Sequence, residues 1–140
     1  MTNFVELLKD VLSENDKTIN DLENAGIIPE RSFYEYETFT PFLPTILRIA
    51  NYLKVSLDYF VGKSSKNNYK EYKIDNIKFY EHLCANLKAL NITKSKFAND
   101  LGIGRPNFTY WKNGSLPKLK LLIEISNYLG CDIDELLETE

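Results

Sequence analysis

At 140 residues the chain is either one ordinary domain or two small ones, and its 44% hydrophobic, 26% charged composition is that of a water-soluble protein. A net charge of −3 excludes a nonspecific nucleic-acid coat, though not a specific reader, whose cations need only be gathered on one face. No apolar run nears the ~20 residues of a membrane span, Met1-Thr2-Asn3-Phe4 does not open a signal peptide, and Cys84 and Cys131 read as isolated, reduced and mostly buried thiols, so a cytoplasmic chain is expected.

Phe4, Leu7, Leu8, Val11 and Leu12 recur at helical spacing and predict a first helix with one buried face. Residues 13–17 are a polar break. Thr18 then suits the N-cap of a short helix carrying Leu22 and Ala25 inward and ended by Gly26. Pro29 fits the first turn of a third helix with Phe33 and Tyr36. After Pro41, an apolar run through Leu43, Ile46, Leu47, Ile49, Ala50 and Leu53 predicts the fourth helix, and Ser56 caps a last short one closed by Gly62.

Residues 63–75 hold Ser, Asn, Lys and Tyr with almost no aliphatic side chain and read as a polar linker, on which only Tyr69 and Tyr72 offer packing surface. The plan then repeats. Phe79, Leu83, Leu87 and Leu90 predict a helix; Thr93 caps the next, which ends at Gly102. Pro106 opens a third, ended by Gly114; Leu119, Leu122, Ile123 and Leu129 line a fourth, and Asp132 caps the fifth. No strand pattern is present, so the fold class is all-α, with units at 1–62 and 76–140.

The repetition is explicit in the residues. Thr18, Leu22, Phe33 and Tyr36 recur 75 places on as Thr93, Phe97, Phe108 and Trp111, and Asn51-Tyr52-Leu53 recurs 76 places on as Asn127-Tyr128-Leu129. Repeats of this length are whole small domains rather than solenoid units. The charges do not repeat. Residues 86–121 hold Lys88, Lys94, Lys96, Arg105, Lys112, Lys118 and Lys120 against Asp100 alone, a surplus of six cations. The matching residues 11–45 hold Lys17 and Arg31 against Glu14, Asp16, Asp21, Glu23, Glu30, Glu35 and Glu37, a surplus of five acids.

The stretch from Thr93 through Phe97-Ala98, Leu101-Gly102-Ile103-Gly104-Arg105-Pro106 and Phe108 to Trp111-Lys112-Asn113-Gly114 has the makings of a helix-turn-helix. Two short helices that cross steeply need a small residue where they touch, which Ala98 supplies. The turn needs left-handed backbone, which Gly102 supplies. Phe97, Leu101, Ile103, Phe108 and Trp111 are spaced to fill the wedge beneath, so these aromatics read as core rather than as base-stacking groups.

Together with Pro117 and the tail Ile125-Ser126-Asn127-Tyr128-Leu129 to Asp132-Ile133-Asp134-Glu135-Leu136-Leu137, this segment resembles the phage-repressor family (Cro/repressor-like, xenobiotic-response-element type). The tail of the first copy, Asn51-Tyr52-Leu53-Lys54-Val55-Ser56-Leu57-Asp58-Tyr59-Phe60, is similar to it too. The resemblance implies two tandem lambda-repressor-like five-helix domains. It also implies that Arg105, Pro106, Asn107 and Tyr110 face base edges, with Arg105 suited to guanine O6 and N7 and Asn107 to adenine or a phosphate. Lys94, Lys112, Asn113, Lys118 and Lys120 fall where such proteins grip phosphates. Tyr110 stands open between groove contact and packing on its own helix. Pro106 departs from the family's usual polar residue and offers no donor there.

The first copy departs further: Glu23 stands where the small residue belongs, Thr38 where the helix-ending glycine belongs, and Glu30, Glu35 and Glu37 face where phosphates would lie. At ~1–3 kcal/mol per good contact, repulsion from several acids cancels most of the binding. This copy is expected to have left DNA, with Tyr34, Phe39 and Phe42 forming a protein-contact surface.

Neither catalysis nor a metal or cofactor is expected. His82 and Cys84 stand two apart with no further ligand spaced to join them, and no nucleophile–base arrangement is visible. Two readings follow. One is a transcriptional regulator, a repressor, that binds double-stranded DNA as a homodimer through the second copy. The other is a protein-interaction module, such as an antirepressor or antitoxin-like partner, acting through the acidic first copy.

Overall fold

The computed structural model describes residues 3–139, and among them every regular element is helical. The chain divides into two compact units, residues 1–72 and 73–140.

The first unit holds α1 (Phe4–Glu14), α2 (Ile19–Asn24), a 3₁₀ helix (Ser32–Glu37), α3 (Leu43–Leu53) and α4 (Leu57–Phe60). Phe4, Val5, Leu8, Val11 and Leu12 form the buried face of α1, with Val5 in the place expected for Leu7, which is half-buried. That face packs on the 3₁₀ helix and on α4. The Phe4 ring stacks on Phe60 at 5.9 Å and meets Tyr36 edge-on at 5.7 Å. Leu22, Ile46, Leu47, Ile49, Ala50 and Leu57 are inaccessible to solvent and complete this core, whereas Ala25 lies outside it, exposed. Thr18 and Asp21 cap α2 reciprocally: Thr18 Oγ1 accepts from the Asp21 amide at 3.3 Å, and Asp21 Oδ2 accepts from the Thr18 amide at 2.8 Å.

The expected third helix is absent as an α-helix. Pro29 precedes it by three residues, and Arg31 at φ +65° turns the chain left-handed just before Ser32. Glu23, at the position expected to be small, holds that turn by accepting the Arg31 amide on its carboxylate at 2.7 Å. The six residues that follow, SFYEYE, are middling helix formers with no room to propagate, so they close in 3₁₀ bonds such as Thr38 N–H to Glu35 O at 3.0 Å. The first unit is thus four α-helices and one 3₁₀ helix, not five α-helices.

Residues 63–72, part of the expected polar linker, are bound to the first unit through Tyr69, Tyr72 and Asn67. Asn51 clamps them with its side-chain amide, donating to Tyr72 O at 2.9 Å while its Oδ1 accepts the Tyr72 amide at 2.8 Å and the Tyr69 hydroxyl at 3.1 Å. Asn67 Oδ1 accepts the Ser56 amide at 2.8 Å, and the Tyr72 hydroxyl accepts the buried Leu57 amide at 2.7 Å. The strap satisfies amides at the start of α4 that would otherwise lack partners, and Tyr72 is buried in doing so.

The second unit holds a 3₁₀ turn (Ile74–Asn76), α5 (Phe79–Ala89), α6 (Lys94–Leu101), α7 (Arg105–Lys112), α8 (Leu119–Leu129) and α9 (Ile133–Leu136). Phe79, Leu83, Leu87, Phe97, Trp111, Leu119, Leu122, Ile125, Leu129, Ile133 and Leu136 are its core; Leu90 ends α5 exposed. Phe79 meets Trp111 edge-on at 5.3 Å, the two residues lying 75 positions beyond Phe4 and Tyr36. The Lys78 amide donates to Glu138 O at 3.1 Å, and His82 Nε2 lies at the same distance from that oxygen, so the start of α5 holds the end of the unit. Asp132 occupies the N-cap position of α9 without a side-chain cap bond, whereas Ser56 caps α4 by accepting the Tyr59 amide at 3.2 Å. Cys84 and Cys131 form no disulfide and are half-buried, less enclosed than expected.

Candidate nucleic-acid interface

Two helices of eight residues meet across a three-residue gap in the second unit. Thr93 Oγ1 accepts the Lys96 amide at 3.1 Å and starts α6; Gly102, at φ +66°, ends it and redirects the chain. The Ile103 amide donates to Ala98 O at 2.9 Å across this turn. Pro106 lies in the first turn of α7, where its missing N–H and fixed φ cost nothing. Gly114, at φ +102°, closes the far end.

The inner face of this pair is aromatic. Phe97 is inaccessible and meets Phe108 at 6.2 Å and Tyr128 at 5.5 Å; Phe108 meets Trp111 at 5.4 Å. The outer face carries the residues singled out in sequence. Arg105 and Pro106 are exposed, Asn107 is half-buried, and Tyr110 is 59% exposed. These four share α7. Asn107 is partly committed, because its Nδ2 donates to Gly104 O at 3.2 Å.

Lys112, Asn113, Lys118 and Lys120 are also exposed, at the end of α7 and the start of α8. Lys118 is the N-cap residue of α8 and Lys120 its second residue. Cations at a helix N-terminus work against the helix dipole, at a typical 0.3–1 kcal/mol each.

Among the described residues, no carboxylate forms an ion pair with Arg105, Lys112, Lys118 or Lys120. The one acid of the stretch is occupied elsewhere: Asp100 Oδ2 accepts from the Tyr128 hydroxyl at 2.6 Å and from Lys96 Nζ at 3.1 Å. Those bonds, the phenol's first, hold the Asp100 carboxyl below its ordinary range and push the Tyr128 phenol up. Lys96 is therefore not a free cation. Lys94 is differently placed from its neighbours, with its Nζ donating to the Tyr80 hydroxyl at 2.6 Å and lying 5.1 Å from the centre of that ring. The hydrogen bond raises its pKa, so the charge is kept while its direction is fixed.

Tyr80, Tyr128 and Glu23 were not legible as participants. Tyr128 did have a signal, since Tyr52 stands at the repeated position. In the first unit Tyr34, Phe42 and Phe39 are 78%, 71% and 51% exposed, the three side chains expected there as a contact surface. Among the described residues, no group of three His, Cys, Asp or Glu side chains is arranged to hold a metal, and no helix is long and apolar enough to cross a membrane.

An exposed, cationic second helix over an aromatic wedge is the geometry of a helix-turn-helix domain. Residues 82–140 match the family model of the Cro/C1-type HTH DNA-binding domain, so the second unit carries a domain of that type. The chain is also 41% identical over 63 residues to the uncharacterized HTH-type transcriptional regulator YqaE of Bacillus subtilis (strain 168), a match over 44% of this chain and 54% of that protein. The chain thus spans about half the length of the curated relative it matches. No solved structure matches it.

Proposed function

We propose that the chain is a sequence-specific DNA-binding transcription regulator, a repressor, that reads the major groove with α7. The observation that carries this reading is a set of exposed cations, Arg105 and Lys112 on the helix that bears the exposed Tyr110 and Lys118 and Lys120 at the start of α8, none of them ion-paired among the described residues. Arg105 reads guanine, Pro106 and Tyr110 make apolar contact in the groove, and Asn107 reads an adjacent base once its amide leaves Gly104. Lys112, Asn113, Lys118 and Lys120 hold phosphates, the last two reinforced by the amides at the start of α8. Lys94, braced by Tyr80, adds a phosphate contact.

One such domain supplies too little contact for a ~10⁻⁸ M operator affinity, so a homodimer on half-sites about 34 Å apart is the working form. The first unit we read as a second, altered copy of the same domain, retired from DNA and given to partner contact. Supporting this are the edge-on pairs Phe4–Tyr36 and Phe79–Trp111, and the left-handed residues Asp16 and Asn91, each separated by 75 positions.

A second reading has its own observation. The exposed Tyr34, Phe39 and Phe42 beside Glu30, Glu35 and Glu37 fit a protein-interaction module, antirepressor or antitoxin-like. Selection from random duplex DNA with the full-length chain at ~0.1 M salt, run beside Arg105→Ala, separates the two. A palindromic motif that collapses in the variant is the expected result. No enrichment at all would transfer the function to the first unit.

A further inference from the structure

The first unit exposes three large aromatic side chains, Tyr34, Phe39 and Phe42, on and just after its 3₁₀ helix. Such a patch on a small unit marks a contact surface. Its charge names the occupant. Glu30, Glu35 and Glu37 are exposed beside it, and no ion pair among the described residues engages them; the cations near them are Arg31 in the same segment and Lys9, whose Nζ lies 6.0 Å from the Phe33 ring centre. A partner for this surface is basic and offers an aromatic of its own. The α7–α8 region of this same chain meets that description, with exposed Arg105, Tyr110 and Lys112 on α7 and exposed Lys118 and Lys120 at the start of α8.

From this complementarity we infer that the acidic aromatic surface of one chain docks on the basic α7–α8 face of a second copy. Carboxylates there take the places of DNA phosphates. The two copies pair head to tail, and the reciprocal contact closes a two-fold assembly. A stable interface buries about 1,200–2,000 Å² in total, and a reciprocal pair of contacts supplies twice the area of one. The paired form is off DNA, because docking covers the face that reads it, and DNA and the second copy compete. This regulatory half rests on the DNA reading above; the self-association does not.

The mass of the full-length chain by light scattering tests it, at ~0.05 M and ~0.5 M salt. Expected is a concentration-dependent dimer at low salt that falls to the single-chain mass at high salt. Association weakens about tenfold or more in a Glu30→Gln, Glu35→Gln, Glu37→Gln chain and equally in a Lys118→Gln, Lys120→Gln chain, both checked for fold by circular dichroism. A single chain at low salt would overturn the inference, as would a dimer that either set leaves untouched. Added duplex carrying a single half-site of the selected sequence, which seats one chain only, should dissolve the head-to-tail pair, and the acid-neutralised chain should bind that duplex more tightly than the parent. A dimer whose association the duplex leaves unweakened would overturn the competition. If the acid-neutralised chain binds no duplex, the DNA reading fails, and the mass measurements decide the pairing on their own.

Discussion

Tyr128 and Asp100 are joined by a 2.6 Å hydrogen bond from the phenol of α8 to the carboxylate at the end of α6. Through it the lone acid of the basic stretch is turned to the domain's own framework, with Lys96 on its other flank. Its carboxylate is thereby paired within the domain, with Tyr128 and Lys96 rather than with the exposed cations of α7 and α8.

That relationship sets a pH dependence. The Asp100 carboxyl is held below its ordinary value, so its contribution is complete above the unfolded carboxyl's ~3.9 and is lost as pH falls from there through the lower folded value. Tyr128 is raised, and its contribution is present below the ordinary phenol value of about 10 and lost as pH climbs through the folded one. Side-chain carboxyl titration by NMR should find Asp100 low in the parent chain and moved up in Tyr128→Phe. An unmoved titration would mean that the bond does not form in solution.

On DNA, Arg105→Ala should cost about 1–3 kcal/mol on the preferred sequence and blur one base position. Lys118→Ala should weaken all sequences alike and lower the salt slope by about one phosphate contact, close to 0.9. Binding titrations on matched and scrambled duplexes at several salt concentrations read both. Equal loss of discrimination in the two variants would end the division between reading and gripping.

Trp111 holds Phe79 on one side and Phe108 on the other, and it is nearly inaccessible. Trp111→Ala should cost about 3–5 kcal/mol, enough to unfold a unit of this size. Hydrogen exchange resolved by residue should then show collapse of protection across α5–α9 while Leu47 and Leu53 stay protected. Simultaneous loss in both units would show that they do not fold independently.

The strap makes a separate prediction for the first unit. Tyr72→Phe removes the acceptor of the buried Leu57 amide, and an unsatisfied buried amide costs about 1–3 kcal/mol. Faster exchange at Leu57, with the second unit unchanged, is the expected signature. Unaltered exchange there would mean that water replaces the hydroxyl at no cost.

Helix positions were legible where periodicity and caps agreed. Thr18, Thr93, Gly102 and Pro106 mark boundaries that local chemistry dictates, and the structure has them there. The failures come from contacts distant in sequence. Nothing near Ser32–Glu37 announces that Glu23 will seize the Arg31 amide and hold the chain in a left-handed turn. A polar composition made residues 63–72 look free, because a strap bound through Asn51 and Asn67 needs side-chain amides rather than aliphatic bulk. The outward placement of Arg105, Pro106 and Tyr110 was legible through the family resemblance; the bonds that commit Asn107 and Lys94 were not, since each partner lies on a different turn or helix.

One detail of α7 bears on how demanding its target is. Pro106 has no amide hydrogen to offer, and the Asn107 amide is folded back on Gly104, so the leading end of this helix is poor in donors beyond Arg105. In the DNA-reading role proposed for it, such a helix would impose few strict positions and leave the rest to shape and apolar fit. Its recognition sites would tolerate drift. Such a regulator can govern a family of dissimilar sites at graded strength, with occupancy set more by how much protein is present than by the letter of any one site.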